Sequence, residues 1–290
     1  MVGYTPSRTS TAVFTAFFSI STALHLGQFI YKRSWFLLPT VILCGVAEVV
    51  GWAARLMQSM DPTDPGRVNF KIQTILLLLA PTPLLAANFM VFGKLVRELG
   101  TSYSRLTPRW YGLIFGGCDI LSLFIQGIGG GMLASGPKNP KKLTEATNIM
   151  LGGIIFQLIS IIVYVALATE YWLRYRSDSP VRSTNATEES LKDGRARGEM
   201  TNRRRLMFYG LAINLVFLFI RAIYRCVELF DGFGGRIMST EVYFDVLDGA
   251  MILLAMFSLN LFHPGWLLGE TRKEAPVENK EFSASSSTVF

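Results

Sequence analysis

Charged residues are scarce in this 290-residue chain, at 17% of the sequence, whereas half of its residues are hydrophobic. Most of the chain lies in long apolar runs, which leave too few polar residues for a separate soluble domain. The composition therefore indicates a single compact membrane domain.

Cysteine and histidine are also scarce, and this argues against metal centres and disulfide frameworks. The three cysteines, Cys44, Cys118 and Cys226, all lie in apolar runs, and their spacing matches neither a zinc site nor a disulfide-rich domain. We interpret them as small packing residues. His25 and His263 are far apart in the sequence, and two histidines alone make a poor metal site. We therefore expect no metal and no cofactor.

Seven apolar stretches dominate the sequence, and each is long enough to cross a bilayer as a helix of about 20 residues. Their apolar residues are consecutive rather than alternating, and they are too long for barrel strands, so we predict an all-α membrane protein. The predicted spans are 11–31, 35–57, 72–96, 111–133, 150–173, 206–230 and 241–262.

The positive charges predict the orientation of these helices. The net charge is +7, but 18 of the 28 Lys and Arg residues fall on one side of the predicted spans and seven on the other. This is a topology signal rather than a nucleic-acid signal, and it predicts an outside N-terminus and a cytoplasmic C-terminus. We divide the chain into an extracellular tail (1–10), a membrane domain (11–268) with a flexible cytoplasmic loop (175–204), and a disordered tail (269–290).

Charged and polar residues inside the apolar runs are the candidate functional residues, because such groups are costly in a bilayer and need a partner or a task. Most fall in the predicted outer half of the membrane. Two interpretations stand: an ion-pair network that fixes the helices, or a polar cavity open toward the outer leaflet. The candidates are Glu48, Arg55, Gln73, Asp119, Gln126, Gln157, Arg221, Tyr224, Arg225, Glu228, Asp245 and Asp248.

Two of these candidates also raise the question of catalysis. Asp245 and Asp248 are three residues apart, which on an α-helix places both carboxyl groups on one face, where they could share a proton or protonate a substrate. Salt bridges to Arg221 and Arg225 explain the same residues more simply. Pro81 and its neighbour at position 83 should kink the third span near the middle of the membrane.

The same residues resemble the fungal lipid-translocating exporter family, often called RTA-like and named for aminocholesterol resistance. The resemblance covers about residues 4–268, with one motif in most helices, and is specific because the motifs occur in order. The residues that carry it include Tyr4, Pro6 and Ser7; Glu48, Gly51, Trp52 and Arg55; Gln73 and Pro81; Asp119, Gln126 and Gly129–Gly131; Gly152, Gly153 and Gln157; Arg221, Tyr224, Arg225, Glu228 and Asp231; Glu241, Asp248, His263, Pro264 and Gly265.

The resemblance implies seven membrane helices and the export or flipping of lipid-like molecules such as sphingoid bases; protoporphyrin handling is also linked to the family. It assigns no catalytic residues. The sequence departs from the pattern at three positions: Asp245 and Phe89 each stand where Tyr is usual, and Thr11 replaces an expected Asn.

We therefore expect a transporter or flippase-like exporter of lipophilic or amphiphilic molecules. No nucleotide-binding motif is apparent, so transport would be driven by a gradient or would occur by passive flipping. Its partner would be a lipophilic small molecule or lipid rather than nucleic acid, and its location the plasma membrane, with an internal membrane as the alternative. One rival is a membrane-embedded cyclase or isomerase with Asp245 and Asp248 as acids. Another is a seven-helix receptor, for which only the topology argues.

Overall fold

The computed structural model describes residues 6–61, 68–135, 139–181, 197–232 and 235–268. Within these ranges every regular element is a helix and there is no strand. In this described part of the chain, seven helices are long and apolar enough to cross a membrane, which confirms the predicted number. They are α1 (Arg8–Lys32), α2 (Trp35–Met60), α3 (Val68–Leu99), α4 (Pro108–Leu133), α5 (Lys141–Ser177), α6 (Asn202–Asp231) and α7 (Glu241–Leu267).

Large apolar side chains cover the outside of the helix bundle. Phe124 of α4 is 72% exposed, and Ile120 and Leu113 on the same helix are also mostly exposed. Charged side chains such as Glu48 and Asp248 are buried inside instead. Polar groups inside and apolar groups outside are what a lipid environment requires, so this chain is an integral multi-pass membrane protein.

Helix α3 occupies the centre of the bundle. In its most apolar window 67% of the residues are buried, compared with 17% in α1. Helices adjacent in the chain pack together, α7 returns to pack against α1, and α3 also packs against α6. This arrangement brings the polar residues of α2, α3, α6 and α7 toward one interior region.

The predicted kink in α3 is a break at Ala80, between the α-helices Val68–Leu79 and Pro81–Leu99. Pro81 has no backbone N–H, so it cannot donate to the carbonyl of Leu77 as an interior helical residue would. That carbonyl accepts a hydrogen bond from a side chain of α6 instead, as described below.

Three other helices contain a turn of π-helix, where the backbone bonds to the fifth rather than the fourth residue. These turns are Leu38–Ile42 in α2, Tyr111–Phe115 in α4 and Asp245–Ala250 in α7. In α7 the helix ends at Leu261, and Pro264–Leu267 forms a separate turn that His263 caps by accepting a hydrogen bond from the Gly265 N–H.

Helix α5 is longer than its predicted apolar run, which starts at residue 150. The α-helix starts at Pro140, because Asn139 caps it by accepting a hydrogen bond from the Lys141 N–H at 3.0 Å. Proline at the first helical position supports the same start. The polar residues between 140 and 149 are therefore helical, although their composition alone suggested a loop.

The predicted flexible loop 175–204 is helical at both ends, since α5 continues to Ser177 and α6 begins at Asn202. Residues 182–196, which are half of this loop, lie outside the described residues, as do the tail 269–290 and residues 1–5 of the predicted N-terminal tail. Asp178 ends α5 in the left-handed conformation (φ 53°).

Contacts between the loops tie α5 to the segment that follows α3. The hydroxyl of Tyr103 donates a hydrogen bond to Asp178, which holds the pKa of that carboxyl below its usual range. Burial and the same carboxylate raise the pKa of Tyr103 to about 12. Arg197 also pairs with Asp178 at 3.0 Å, and the Val181 N–H donates to the Ser102 carbonyl.

Candidate functional site

Four of the predicted polar residues lie along one face of α6. Tyr224, Arg225 and Glu228 follow Arg221 by three, four and seven residues, a spacing that places each of them on the same side of the helix as Arg221. All four are buried. The Arg225 Nη1 donates to Glu228 Oε2 at 2.8 Å, and the hydroxyl of Tyr224 donates to Glu228 Oε1 at 3.0 Å.

Asp248 connects α7 to this face of α6 by ion pairs with two of its residues. Its Oδ1 accepts hydrogen bonds from Arg221 Nε at 2.9 Å and from Arg225 Nε at 2.7 Å. Its Oδ2 accepts from Arg225 Nη2 at 2.6 Å. Two guanidinium groups and two carboxylates thus neutralise one another through short, charge-assisted bonds. We call Arg221, Arg225, Glu228 and Asp248 the ion-pair cluster.

The break in α3 contributes to this cluster. The Nη2 of Arg221 donates to the carbonyl of Leu77 at 3.1 Å and lies 3.4 Å from that of Leu78. Pro81 leaves the Leu77 carbonyl without its usual helical donor, so the guanidinium satisfies an acceptor that would otherwise be buried and unpaired. The proline and the arginine are therefore parts of one local structure.

Glu48 of α2 lies beside the ion-pair cluster but is not hydrogen-bonded to it. It is fully buried and interacts electrostatically with Asp248, Arg221 and Arg225. Neither of its carboxyl oxygens is within hydrogen-bond geometry of a partner among the described residues, and the donor that acts on it is the indole N–H of the neighbouring Trp52. Glu48 is thus an acid held in the field of two arginines.

Arg55 and Asp245 belong to a separate polar group. Arg55 pairs with Glu241 at 3.5 Å, and its guanidinium carbon lies 4.5 Å from the centre of the Phe244 ring. Asp245 accepts a hydrogen bond from the hydroxyl of Ser10. The two aspartates of α7 therefore bind different neighbours, because the turn between them is π-helical rather than α-helical. Both oxygens of Asp248 already accept guanidinium N–H groups.

The glutamine candidates form two further contacts. Gln73 donates to Gln58 of the preceding helix. Gln126 of α4 donates to Gln157 of α5 at 3.3 Å, and Gln157 donates to Thr82 of α3 at 3.4 Å.

Asp119 lies apart from both groups. It is 1% exposed, and neither of its carboxyl oxygens has a hydrogen-bond partner in the part of the chain that the structure describes. The predicted set is thus divided between the ion-pair cluster, the Arg55–Glu241 pair and the α4–α5 interface.

Three cavities lie near these residues. A small one of about 60 Å³ is bordered by Arg55, Gln73, Arg225 and Glu228, at the edge of the ion-pair cluster. The two others, described next, are larger and mainly apolar. The expected single polar cavity is therefore replaced by a closed network beside a small cavity, because the cations and carboxylates pair with one another.

The first large cavity is a groove of about 430 Å³ between α3, α5 and α6. Its floor includes Phe92, Tyr164 and Leu215, and the exposed residues Ile162 and Val216 form its edges, so it faces the surrounding lipid. The second, of about 510 Å³, lies between α6 and α7 and is bordered by Tyr224, Arg236 and Tyr243 among others. We call them the tail groove and the α6–α7 cavity; Ile220 borders both.

A buried amide network below the tail groove was not predicted. Asn88 donates to Asn214 and to the carbonyl of Leu211, both at 3.1 Å, and accepts from the hydroxyl of Tyr164 at 2.9 Å. Asn214 in turn donates to the Ala255 carbonyl at 2.7 Å. Asparagines within apolar runs were the signal available in the sequence.

The three positions that depart from the family pattern have simple environments, apart from Asp245. Phe89 is fully buried and packs against Tyr164, with ring centres 4.6 Å apart, and against Phe115. Thr11 is fully buried, and its hydroxyl donates to the carbonyl of Ser7 at 2.9 Å.

No group of three or more His, Cys, Asp or Glu side chains is placed to hold a metal within the described ranges. His25 contacts the Met256 carbonyl at 3.1 Å, whereas His263 accepts from the Gly265 N–H. Although far apart in the sequence, the two histidines interact electrostatically.

Comparison with known proteins now decides the family. A family profile described as RTA1 like protein matches residues 41–271, which include all seven helices except α1 and the start of α2. This chain belongs to the RTA1-like family.

Several fungal relatives are similar to this RTA1-like protein over most of its length. The sphingoid long-chain base transporter RSB1 of Saccharomyces cerevisiae is 25% identical over 293 residues, covering 95% of this chain and 76% of the relative. The probable lipid transporter atnI of Emericella nidulans is 26% identical, covering 96% of this chain and 71% of that protein. Protein RTM1 of S. cerevisiae is 25% identical over 81% of this chain and 71% of its own length. No solved structure matches.

Proposed function

We propose that this RTA1-like protein is a membrane transporter that moves lipophilic or amphiphilic molecules, of the size of a single-chain lipid, along the surface of α6. The observation that carries the proposal is the pair of adjoining cavities on α6, which meet at Ile220. The names of the relatives, a sphingoid long-chain base transporter and a probable lipid transporter, support the same substrate class.

The tail groove suits a hydrocarbon chain in size and chemistry. Its volume of about 430 Å³ is within the usual range for small-molecule sites, about 300–1,000 Å³. From Phe208 to Ile220 it follows α6 for about 18 Å, at 1.5 Å per residue. A lipid tail spans one leaflet, which is half of a hydrocarbon core about 30 Å thick. It is therefore short enough to lie along the groove.

Polar groups at the far end of this path would engage the head group. The α6–α7 cavity has Tyr224, Tyr243 and Arg236 on its border, next to the ion-pair cluster. An amine would interact with the Tyr224 and Tyr243 hydroxyls, and an anionic group with Arg236. The ion-pair cluster itself would hold α6 and α7 together while the substrate passes, rather than bind it directly.

The proposal retains the predicted orientation, with the N-terminus outside and the C-terminus in the cytoplasm, because 18 Lys and Arg residues lie on the side assigned to the cytoplasm. The Trp172–Phe208 end of the tail groove then lies near the cytoplasmic leaflet, and the α6–α7 cavity lies in the outer half. With this orientation, the substrate would move from the cytoplasmic side toward the outer side of the plasma membrane, which is export.

A matched pair of substitutions on α6 tests the path. Ala212 borders the tail groove, whereas the next residue, Ile213, is an exposed residue that does not border it. In liposomes containing the purified protein, a fluorescent long-chain amine would be followed across the bilayer by its quenching from one side. We expect Ala212→Trp to slow its movement strongly and Ile213→Trp to leave it unchanged.

Two results would contradict the proposal. One is that the unsubstituted protein moves no member of a panel of long-chain amines, lysolipids and sterols faster than empty liposomes do. The other is that both tryptophan variants move the amine at the same rate, which would show that the tail groove is not on the path.

A further inference from the structure

Asp119 is the one charged residue in the membrane-embedded segments of three neighbouring helices, α3, α4 and α5. Helix α4 packs against α5 and against α3. Apart from Asp119, no Asp, Glu, Lys or Arg occurs between residues 72 and 93 of α3, 110 and 134 of α4, or 146 and 169 of α5. Within these segments there is therefore no cation to neutralise Asp119, whereas each acid of the ion-pair cluster is paired with an arginine.

The residues opposite Asp119 follow from three contacts between the antiparallel helices α4 and α5. Gly129 is packed against Met150, Gly153 against Gln126, and the rings of Phe115 and Tyr164 are 5.4 Å apart. The same register places Asp119 opposite Ser160 of α5. Ser122, one turn from Asp119 on α4, falls opposite Gln157.

These side chains share an unusual property, which is that their oxygens are buried without partners. Ser122 is 0% exposed and Ser160 is 7% exposed. Both hydroxyl oxygens and both Asp119 oxygens lack a hydrogen-bond partner among the described residues. Buried polar atoms are almost always paired, and a cluster of exceptions is often explained by a ligand. We call Asp119, Ser122 and Ser160 the acid–hydroxyl site.

The chemistry of the site favours a proton over a metal ion. Its unpaired side-chain oxygens number four, fewer than the six or so that a hard divalent cation requires. The amide oxygen of Gln157 accepts from Gln126, and even if its second lone pair were used the site would offer only five oxygens. An isolated carboxylate is very costly in a dry environment, whereas a carboxylic acid is neutral and its O–H can donate to a hydroxyl oxygen.

We propose that the acid–hydroxyl site binds the proton whose movement drives transport by this protein. The proposal rests on the transport function proposed above and supplies its energy source. When water reaches the site, the Asp119 carboxylate takes a proton from hydronium and leaves water. In the closed bundle the neutral acid is shielded, and on opening toward the other side it returns the proton to water. One proton and its charge cross in each cycle.

Helix α5 connects this site with the proposed lipid path. Tyr164, one turn from Ser160, is the nearest titratable residue of α5 in this register, and its hydroxyl is taken by Asn88. Tyr164 also forms part of the tail groove. Ser160 and Tyr164 lie one turn apart on one face of α5, so this face borders both the acid–hydroxyl site and the tail groove, and a movement of α4 relative to α5 would alter both.

The test combines a spectroscopic and a transport measurement on the full chain. Infrared difference spectra of the purified protein would show the carbonyl stretch of a protonated, buried carboxylic acid, which shifts in D₂O. Movement of the fluorescent long-chain amine would then be compared with and without an imposed pH gradient, with the membrane potential clamped. The variants are Asp119→Asn and, as a control on α5, Glu145→Gln, which removes an exposed acid.

We expect the unsubstituted protein and Glu145→Gln to show the infrared band and faster amine movement under the pH gradient. Asp119→Asn should lose one component of the band and all of the gradient response, while retaining movement without a gradient. Asparagine resembles a neutral acid in shape, so this variant should fold, and the D₂O shift in the unsubstituted protein tests the proton without any substitution.

Three results would overturn the coupling role: an equal gradient response in Asp119→Asn and the unsubstituted protein, an unchanged band in that variant, or stimulation by a sodium gradient in place of the proton gradient. Failure of the unsubstituted protein to move the amine under any condition would instead overturn the transport function, and the coupling role with it. The infrared band would still report whether the site binds a proton.

Discussion

Substitution of Asp248 by Asn should be among the most destabilising conservative changes in this protein. The carboxylate accepts one hydrogen bond from Arg221 and two from Arg225, at 2.6–2.9 Å, and all three side chains are at least nine-tenths buried. The amide of Asn has a single acceptor oxygen and no charge, so two guanidinium groups would face each other, and only Arg225 would keep a hydrogen-bonded carboxylate, that of Glu228. Breaking a buried ion pair in this way costs about 3–5 kcal/mol.

A double-mutant cycle separates this effect from a general loss of packing. Arg221→Gln alone removes one cation, and Asp248 keeps its two bonds to Arg225. In the double variant Arg225 and Glu228 remain as a balanced pair. We therefore expect the double variant to be more stable than the sum of the single effects predicts, by about 0.5–3 kcal/mol.

The free energy of unfolding would be measured in mixed micelles by titration with denaturing detergent, with Asp245→Asn as a control. That control removes the charge of a partly exposed carboxyl that accepts one hydrogen bond from Ser10, and because the Asn oxygen can still accept that bond, it should cost at most about 1 kcal/mol. Additive effects of Arg221→Gln and Asp248→Asn, or a loss at Asp248 no larger than at Asp245, would refute the account of the ion-pair cluster.

Two further predictions concern packing and pH. A Cβ on Gly129 would lie 2.5 Å from the Met150 side chain and 2.7 Å from a backbone carbonyl, whereas one on Gly130 meets nothing within 4 Å. Gly129→Ala should therefore cost about 1–3 kcal/mol of unfolding free energy and Gly130→Ala should not destabilise, and equal effects in detergent titration would count against the α4–α5 packing. Tyr103→Phe removes the donor that lowers the pKa of Asp178. The hydrogen bond to the charged carboxylate stabilises the folded state fully above the unfolded-state pKa of about 3.9. This stabilisation is lost as the pH falls through the lower pKa of the folded state. The melting temperature of Tyr103→Phe should thus be lower than that of the unsubstituted protein at pH 7, with a difference that shrinks below about pH 4; a constant difference would contradict the role of Asp178.

The sequence was sufficient for the helices and for much of the charge pairing. Apolar runs of about 20 residues have the length of membrane-spanning helices. Counting residues along each run then gives the depth of each charged residue in the membrane. Equal depth suggested salt bridges from Arg221 and Arg225 to both aspartates of α7, whereas the structure pairs the two arginines with Asp248 and directs Asp245 to Ser10. Proline chemistry predicted the break near Pro81, although not that Arg221 would use the carbonyl it frees.

The sequence did not reveal how each helix is rotated about its own axis, or where a helix departs from ideal α-helical geometry. Asp245 and Asp248 share a face on an ideal α-helix, but the π-helical turn directs Asp245 to Ser10, and such turns depend on tertiary packing. The isolation of Asp119 could not be inferred from depth either. The tail groove was missed for a different reason, since the apolar residues that border it look like any lipid-facing residue in sequence.

The distribution of paired and unpaired charges also indicates which helices can separate at low cost. Moving α6 away from α7 would strip Asp248 of both guanidinium groups, at about 3–5 kcal/mol, before any substrate was bound. Moving α4 away from α5 near residue 119 would break none of the charge-assisted bonds, and water would stabilise the unpaired oxygens of the acid–hydroxyl site. Close packing at Gly129 restrains the other end of the same interface. We therefore infer that α4 opens at its Asp119 end while the α6–α7 pair stays closed, which would connect the buried acid to water and shift the α5 side of the tail groove without separating α6 from α7.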